Sequence, residues 1–260
     1  MIPYLFHIGP FYFNMYGFWI AIGLLLFMWA AGSDRLAKKY LKPGQLINIV
    51  FFCLIIGIIG GRILSIIQEF DKYTSLYDVM AFWEPGYSLF GSVIAITLTL
   101  PLYLQRKKIK ILPVLDLAGI YAPLLQSVSR IGCFFAGCCY GCPSHIPWAV
   151  TYTHPDSIAA LNIPCHPTQL YSTVSLFILF IIIRFVLRPF FKKPGQLFSL
   201  YLIGSSIERF FNDFLRAEHY EIDLAVDMFS SSQLIALCLL GVGLLSLYLT
   251  ISVKIKPYTK

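Results

Sequence analysis

Four arginines stand where arginine is costly. Arg130 ends a long apolar run, Arg62 and Arg209 lie inside two others, and Arg216 follows Arg209 by seven residues. A charged side chain at the centre of a bilayer costs about 2.5–3.5 kcal/mol even on the mildest scale, so each needs an anionic partner. Guanidinium suits phosphate, because it stays charged and offers paired N–H donors to two oxygens. Near the head-group level of a membrane, the available phosphate is that of a phospholipid. Internal pairing is the plainer alternative, with Asp213 four residues from Arg209 as its partner.

The stretch that carries Arg130, Ser127 to Pro143, also holds Cys133, Cys138, Cys139 and Cys142. Its glycines, Gly132, Gly137 and Gly141, let backbone approach a head group closely; they equally permit tight helix packing. Cys-x4-Cys-Cys-x2-Cys, with Cys165 further on, matches zinc spacing weakly. Adjacent cysteines are poor ligands together and a second Cys-x2-Cys pair is missing. No metal and no cofactor is therefore expected, and on an outer face disulfides are the ordinary outcome. Cys53 and Cys238 sit in apolar runs and read as buried hydrophobes. His166, before Pro167 at the start of a helix, is a candidate general base. A pre-proline histidine is also a common helix opening.

The elements that must position these groups are membrane helices. With 58% hydrophobic and 13% charged residues in 260, the chain is not a soluble domain. About 20 apolar residues at 1.5 Å each cross a bilayer core of about 30 Å. About seven such segments are predicted: roughly 13–31, 46–68, 86–104, 111–130, from 169 into the basic run at 184–193, 196–215, and 228–253. The first run lacks a basic leader and does not read as a cleavable signal. Fifteen of the 20 lysines and arginines fall in three loops and the C-terminal tail: residues 35–42, 106–110, 184–193 and 254–260. With seven helices these share one side, the cytoplasm, which places the N-terminus outside and the C-terminus inside. Residues 132–167 then form an extracytoplasmic loop, and Glu218, Glu221, Asp223 and Asp227 an acidic one. Counted from the inner helix ends, Arg62 and Arg130 lie roughly 25 and 30 Å up, near the outer boundary, and Arg209 roughly 20 Å. The charge of +7 is a topology signal, not a sign of nucleic-acid binding. A short echo, Lys-Pro-Gly-Gln-Leu at 42–46 and 193–197, opens two outward-going helices, each carrying one of the arginines.

Several motifs, in order along the chain, resemble those of bacterial prolipoprotein diacylglyceryl transferases. They are His7-Ile-Gly-Pro with Tyr16-Gly17, Gly60-Gly61-Arg62-Ile63, Arg130-Ile-Gly-x-Phe-x-x-Gly137, Pro147-Trp148, His166-Pro-Thr-Gln169-Leu-Tyr171 and Arg209-Phe-x-x-Asp213-Phe-x-Arg216, with Gln233-Leu234 a looser fit. The resemblance covers nearly the whole chain. It implies a single integral-membrane transferase domain over 1–260, in a seven-helix all-α layout at the bacterial plasma (inner) membrane. The active site would face the outer leaflet. The implied reaction moves diacylglyceryl from phosphatidylglycerol to the lipobox cysteine of lipoprotein precursors and releases glycerol phosphate. Arg130 and Arg209 would stabilise the phosphate, Arg62 and Arg216 would support them, Tyr16 would be a site residue, and Asp213 and Gln169 would assist.

The chain also departs from the family. Cys133 and Ala136 stand where the family usually has Asn, Cys138 and Ser172 where it has Glu, and Phe90 where it has His. Two polar groups are thus thiols here, and a candidate base is missing. Alternatives are a relative with the same lipid donor and another acceptor, a phospholipid-binding or transport protein that needs only the arginines, and a thiol-redox protein that needs only the cysteines.

Overall fold

A computed structural model of the chain describes residues 4–8, 11–70, 86–217, 229–252 and 258. Lys72, most of the expected polar segment before the third helix, the acidic loop from Glu218 to Asp227, and Lys254, Lys256 and Lys260 lie outside the described residues. So do Gly9 and Pro10 and the side chain of His7. The described chain is mostly helical, as expected. Six helices are long and apolar enough to cross a membrane: Met15–Ser33 (α1), Gln45–Gln68 (α3), Leu89–Arg106 (α4), Ile111–Ala136 (α5), Thr168–Leu187 (α6) and Ser231–Ser252 (α8). The last six residues of α6, Ile182–Leu187, form a π-helical turn. The helix Arg35–Tyr40 (α2) is short, with Asp34 capping it by accepting from the Leu36 N–H at 2.8 Å. A further helix, Gln196–Asp213 (α7), is the expected sixth span; Glu208, Arg209 and Asp213 make it less apolar than the rest. Large apolar side chains stay exposed along the helices, among them Trp29, Phe51, Leu98, Phe185 and Tyr248, as a lipid-facing surface requires.

Two compact units result, residues 1–31 with 115–260, and residues 32–114. In the smaller unit α3 and α4 cross at small residues. A Cβ on Gly60 would lie 2.7 Å from the Gly91 carbonyl oxygen, so the two backbones touch.

The larger unit holds α5 to α8 together with small β elements that hydropathy does not announce. Strands β1 (Tyr4–Ile8) and β2 (Phe11–Asn14) form an antiparallel hairpin, which moves the start of the first helix from the expected residue 13 to Met15. Strands β3 (Val150–Thr151) and β4 (Pro164–Cys165) pair in the 132–167 segment. Helix α5 runs on through Pro123 and six residues past Arg130, so Cys133 sits on its last turn and not in the loop. The turn that stops it is Gly137, at φ 74°, the left-handed conformation that glycine adopts at least cost after a helix.

The Lys-Pro-Gly-Gln-Leu echo folds the same way twice. Gly44 and Gly195 both have left-handed backbones, at φ 81° and 93°. The Gln45 side-chain oxygen accepts from the Lys42 N–H at 2.8 Å, and Gln196 does the same for Lys193 at 2.9 Å. A glutamine that reaches back to close the entering turn explains the repeat locally. At the start of α7, Asp116 of α5 is fully buried and accepts from Gly195 N at 2.7 Å, Phe198 N at 2.9 Å and the Tyr258 hydroxyl at 2.7 Å. Asp116→Ala leaves these donors unmatched and is expected to cost about 2–3 kcal/mol. Thermal unfolding in detergent measures this against exposed Asp156→Ala, which should change stability by less than about 0.5 kcal/mol.

Candidate active site

Five segments of the larger unit converge after α5. The loop from Gly137 to Pro143 lies between the segment that enters α6 and the segment that leaves α7. Gly141 donates to the His166 carbonyl at 3.0 Å, Cys142 to the Leu215 carbonyl at 2.8 Å, and Ala217 to the Tyr140 carbonyl at 3.2 Å. A Cβ on Gly141 would meet the carbonyl oxygens of His166 and Leu215 at 2.6 and 2.7 Å. The first turn of α6 clamps the same loop. Thr168 Oγ1 donates to the Cys139 carbonyl at 2.7 Å, and Gln169 Nε2 to the Cys138 carbonyl at 2.8 Å and the Tyr152 hydroxyl at 3.2 Å. Gln169, expected to assist, thus positions the cysteine loop, and it is buried. At α1, a Cβ on Gly132 would come 3.1 Å from the Tyr16 Cα and carbonyl oxygen. Gly137 is likewise filled in, with the Ser157 hydroxyl packed where its Cβ would stand. Both glycines thus sit in close chain packing.

This scaffold gathers most of the expected site residues. Arg209 Nη2 lies 3.3 Å and Arg216 Nη1 3.6 Å from the same oxygen of Asp213, which is buried. Arg209 Nη2 also donates to Ser232 Oγ at 2.9 Å. The other Asp213 oxygen accepts from Ser230 Oγ. Ser230 opens α8 through a reciprocal cap: its N–H donates to Gln233 Oε1 at 3.0 Å and its hydroxyl accepts from Gln233 N–H at 3.1 Å. Arg130 interacts electrostatically with Cys133, Cys139 and Glu208, and with Arg209. The Tyr16 side chain is within electrostatic reach of Arg130 and of Cys133, Cys138 and Cys139. Two further expected residues have other surroundings. The imidazole Nδ1 of His166 is 3.2 Å from the Tyr171 hydroxyl, which accepts from Trp148 Nε1 at 2.8 Å. Arg62 lies in the smaller unit, buried, with Nη1 donating to the Gly86 carbonyl at 3.2 Å and its guanidinium 5.6 Å from the Tyr87 ring centroid.

Two features escape a reading of the sequence. Ser172, where the resemblance implies a carboxylate, donates to Glu208 Oε1 at 2.6 Å and accepts from Asn212 Nδ2 at 2.6 Å. The neighbouring helix α7 thus brings a carboxylate to that place. The signal in the sequence was an acid inside an apolar span, directly before Arg209. Secondly, all seven cysteines are free thiols, against the expectation of disulfides. Cys142 and Cys165 turn their sulfurs to the Leu215 and Val150 carbonyls, at 3.4 and 3.3 Å. The sulfurs of Cys133, Cys138 and Cys139 instead lie within 4.8 Å of one another. Adjacent side chains normally diverge; here the left-handed backbones of Gly137 and Cys139 (φ 59°) fold them together. Hydrogen bonds from the Cys133 and Cys138 thiols, then the charges of Arg216 and Arg130, hold the Cys139 thiol below the ordinary range. Cys138, which shares its hydrogen with Cys133 and Cys139, is pushed above it.

The sequence profile described as prolipoprotein diacylglyceryl transferase matches residues 3–249. The chain belongs to this prolipoprotein diacylglyceryl transferase family. A Clostridium tetani relative named phosphatidylglycerol–prolipoprotein diacylglyceryl transferase is 32% identical over 244 residues, 94% of this chain and 96% of its own. A Clostridium perfringens protein of the same name, numbered 2, is 32% identical over 88% of each chain. One from Thermotoga maritima is 28% identical over 92% of this chain and 82% of its own.

Proposed function

We infer that the chain transfers a diacylglyceryl group from phosphatidylglycerol to the cysteine thiol of lipobox-containing lipoprotein precursors, forming a thioether and releasing glycerol phosphate. The observation that carries the reading is the pairing of Arg209 and Arg216 on Asp213 with Arg130 within electrostatic reach of Arg209, in a family whose members are named for phosphatidylglycerol and prolipoprotein. The basic loops favour an N-terminus outside. On that topology the protein is a multi-pass protein of the inner membrane, with the bilayer as its medium and the arginines at the outer leaflet.

The acceptor sulfur attacks the terminal glyceryl carbon, and the C–O bond to phosphate breaks with its electron pair. Charge therefore grows on the departing phosphate, where Arg130 and Arg209 act, and Arg216 steadies Asp213 beside them. Glu208, within electrostatic reach of Arg130 and hydrogen-bonded by Ser172, receives the acceptor's proton. Glu208→Gln is expected to slow transfer by about 10²- to 10⁴-fold while lipid binding changes little. Turnover near the wild-type rate would assign the proton to another group.

The deciding experiment incubates the full chain in detergent with labelled phosphatidylglycerol and a lipobox peptide, then weighs the peptide. A diacylglyceryl adduct on the cysteine is the expected product. Lipid consumed with the peptide unchanged would mean another acceptor, and neither change would leave lipid binding without transfer.

A further inference from the structure

We propose that Cys133, Cys138 and Cys139 hold a thiophilic divalent cation of the zinc class, with its fourth position left for the acceptor's thiol. Three thiols, none in a disulfide, place their sulfurs within 4.8 Å of one another at the end of α5. Thiolates around tetrahedral zinc stand about 3.8 Å apart for Zn–S bonds of about 2.3 Å, so small side-chain rotations close the cluster on an ion. Three protein ligands with one open position is the pattern of reactive zinc sites; structural sites fill all four.

Backbone geometry singles out the same place. Cys139 has a left-handed backbone, an uncommon and costly conformation for a residue with a Cβ. It is held there from outside, by Thr168 on its own carbonyl and by Gln169 on that of Cys138. Without that conformation the neighbouring thiols would point apart. Arg130 and Arg216 lie within electrostatic reach of Cys139, which suits a site whose three thiolates and one divalent ion carry a net negative charge.

The role for the ion rests on the transferase reading given above. Where the resemblance implies polar groups, at 133 and 138, this chain has thiols. A thiol bound to such an ion is deprotonated outright yet keeps a lone pair for attack. The acceptor sulfur enters the fourth position as its proton leaves. Its lone pair then forms the C–S bond to the glyceryl carbon while the C–O bond to phosphate breaks. The released glycerol phosphate carries the displaced electron pair and, after transfer through Glu208, the proton. The thioether is a poor ligand and departs. No oxidant or reductant is consumed.

The test uses the full chain in detergent with Zn²⁺ alone and then Co²⁺ alone. One equivalent of either should bind, and Co²⁺ should give thiolate-to-metal charge-transfer absorption in the near ultraviolet. The Cys133→Ser, Cys138→Ser, Cys139→Ser triple variant should lose that band. The Cys139→Ser single variant should bind Zn²⁺ more weakly by at least the roughly 10- to 100-fold that loss of a supporting residue costs. Cys142→Ser and Cys238→Ser should leave the spectrum unchanged. Substoichiometric binding, a band that survives the triple variant, or a disulfide among the three thiols in metal-free protein prepared without oxygen would overturn the site. In the wild-type protein, whose folding is not in question, a lipobox peptide should shift the visible Co²⁺ bands and its Cys→Ser counterpart should not. Stoichiometric metal with no such shift would overturn the acceptor role alone. A shift without any diacylglyceryl adduct on the peptide would keep the metal–thiol contact and sink the transferase reading.

Discussion

Arg130→Ala is expected to lower diacylglyceryl transfer by about a thousandfold or more while the protein stays folded in detergent. A single donor at a developing oxyanion is worth about 10²–10³ in rate, and an arginine at a phosphate in its transition state about 10³–10⁵. Arg130 is placed for the upper part of that range. It lies on α5 one turn before Cys133 and interacts with Glu208 and the thiols; Arg209 and Arg216 carry their own carboxylate in Asp213. Folding should survive, because Glu208 keeps the Ser172 hydroxyl when Arg130 is removed. Arg130→Lys separates charge from shape. The ammonium preserves the charge but not the paired donors, so a loss of about 10²-fold should remain. Product mass on the peptide gives the rate, and the melting temperature controls for folding. Transfer by Arg130→Ala within tenfold of wild type would remove Arg130 from the reaction.

How far this site can be read from the sequence depends on the range of the cause. Arg130, Arg209 and Arg216 stand out because a charge in an apolar run is expensive wherever the chain folds, and Asp213 follows from helical spacing. The helices themselves are visible in hydropathy alone, and α7 survives its three charges because Asp213 turns inward to meet two of the arginines. Glu208 shares that signal, but its role is not local. Its importance comes from α6, where Ser172 leaves room for a carboxylate supplied by α7, a relation between helices 36 residues apart in the chain. The thiol cluster is hidden for a different reason. Spacing argues against adjacent cysteines acting together, and only the left-handed turns at Gly137 and Cys139 reverse that argument. The β1–β2 hairpin is hidden by brevity: strands of five and four residues are too short for a hydropathy window to separate from the helix that follows.

Asp213→Ala should destabilise the larger unit by about 3–5 kcal/mol, the cost of removing one partner from a buried ion pair. The carboxylate does three jobs at once. It neutralises Arg209 and Arg216 through one oxygen, and through the other it accepts from Ser230, whose hydroxyl and N–H form the cap of α8 with Gln233. Losing it places two guanidiniums side by side without the charge between them and loosens the entry to α8. Asp213→Asn keeps an oxygen for Ser230 but not the charge, and should cost about half as much. The same geometry makes the loss dependent on ligand. A phosphate bound at Arg209 supplies part of the missing negative charge, so glycerol phosphate should raise the melting temperature of Asp213→Ala more than that of the wild type. Binding to the native state stabilises by RT ln(1 + [L]/Kd), and a tenfold tighter Kd in the variant adds about 1.4 kcal/mol at saturating ligand. An equal shift in both proteins would mean that the phosphate binds away from this pair. A larger shift in the variant means that Asp213 and the phosphate serve the same guanidinium, the carboxylate holding Arg209 in place until the lipid phosphate arrives.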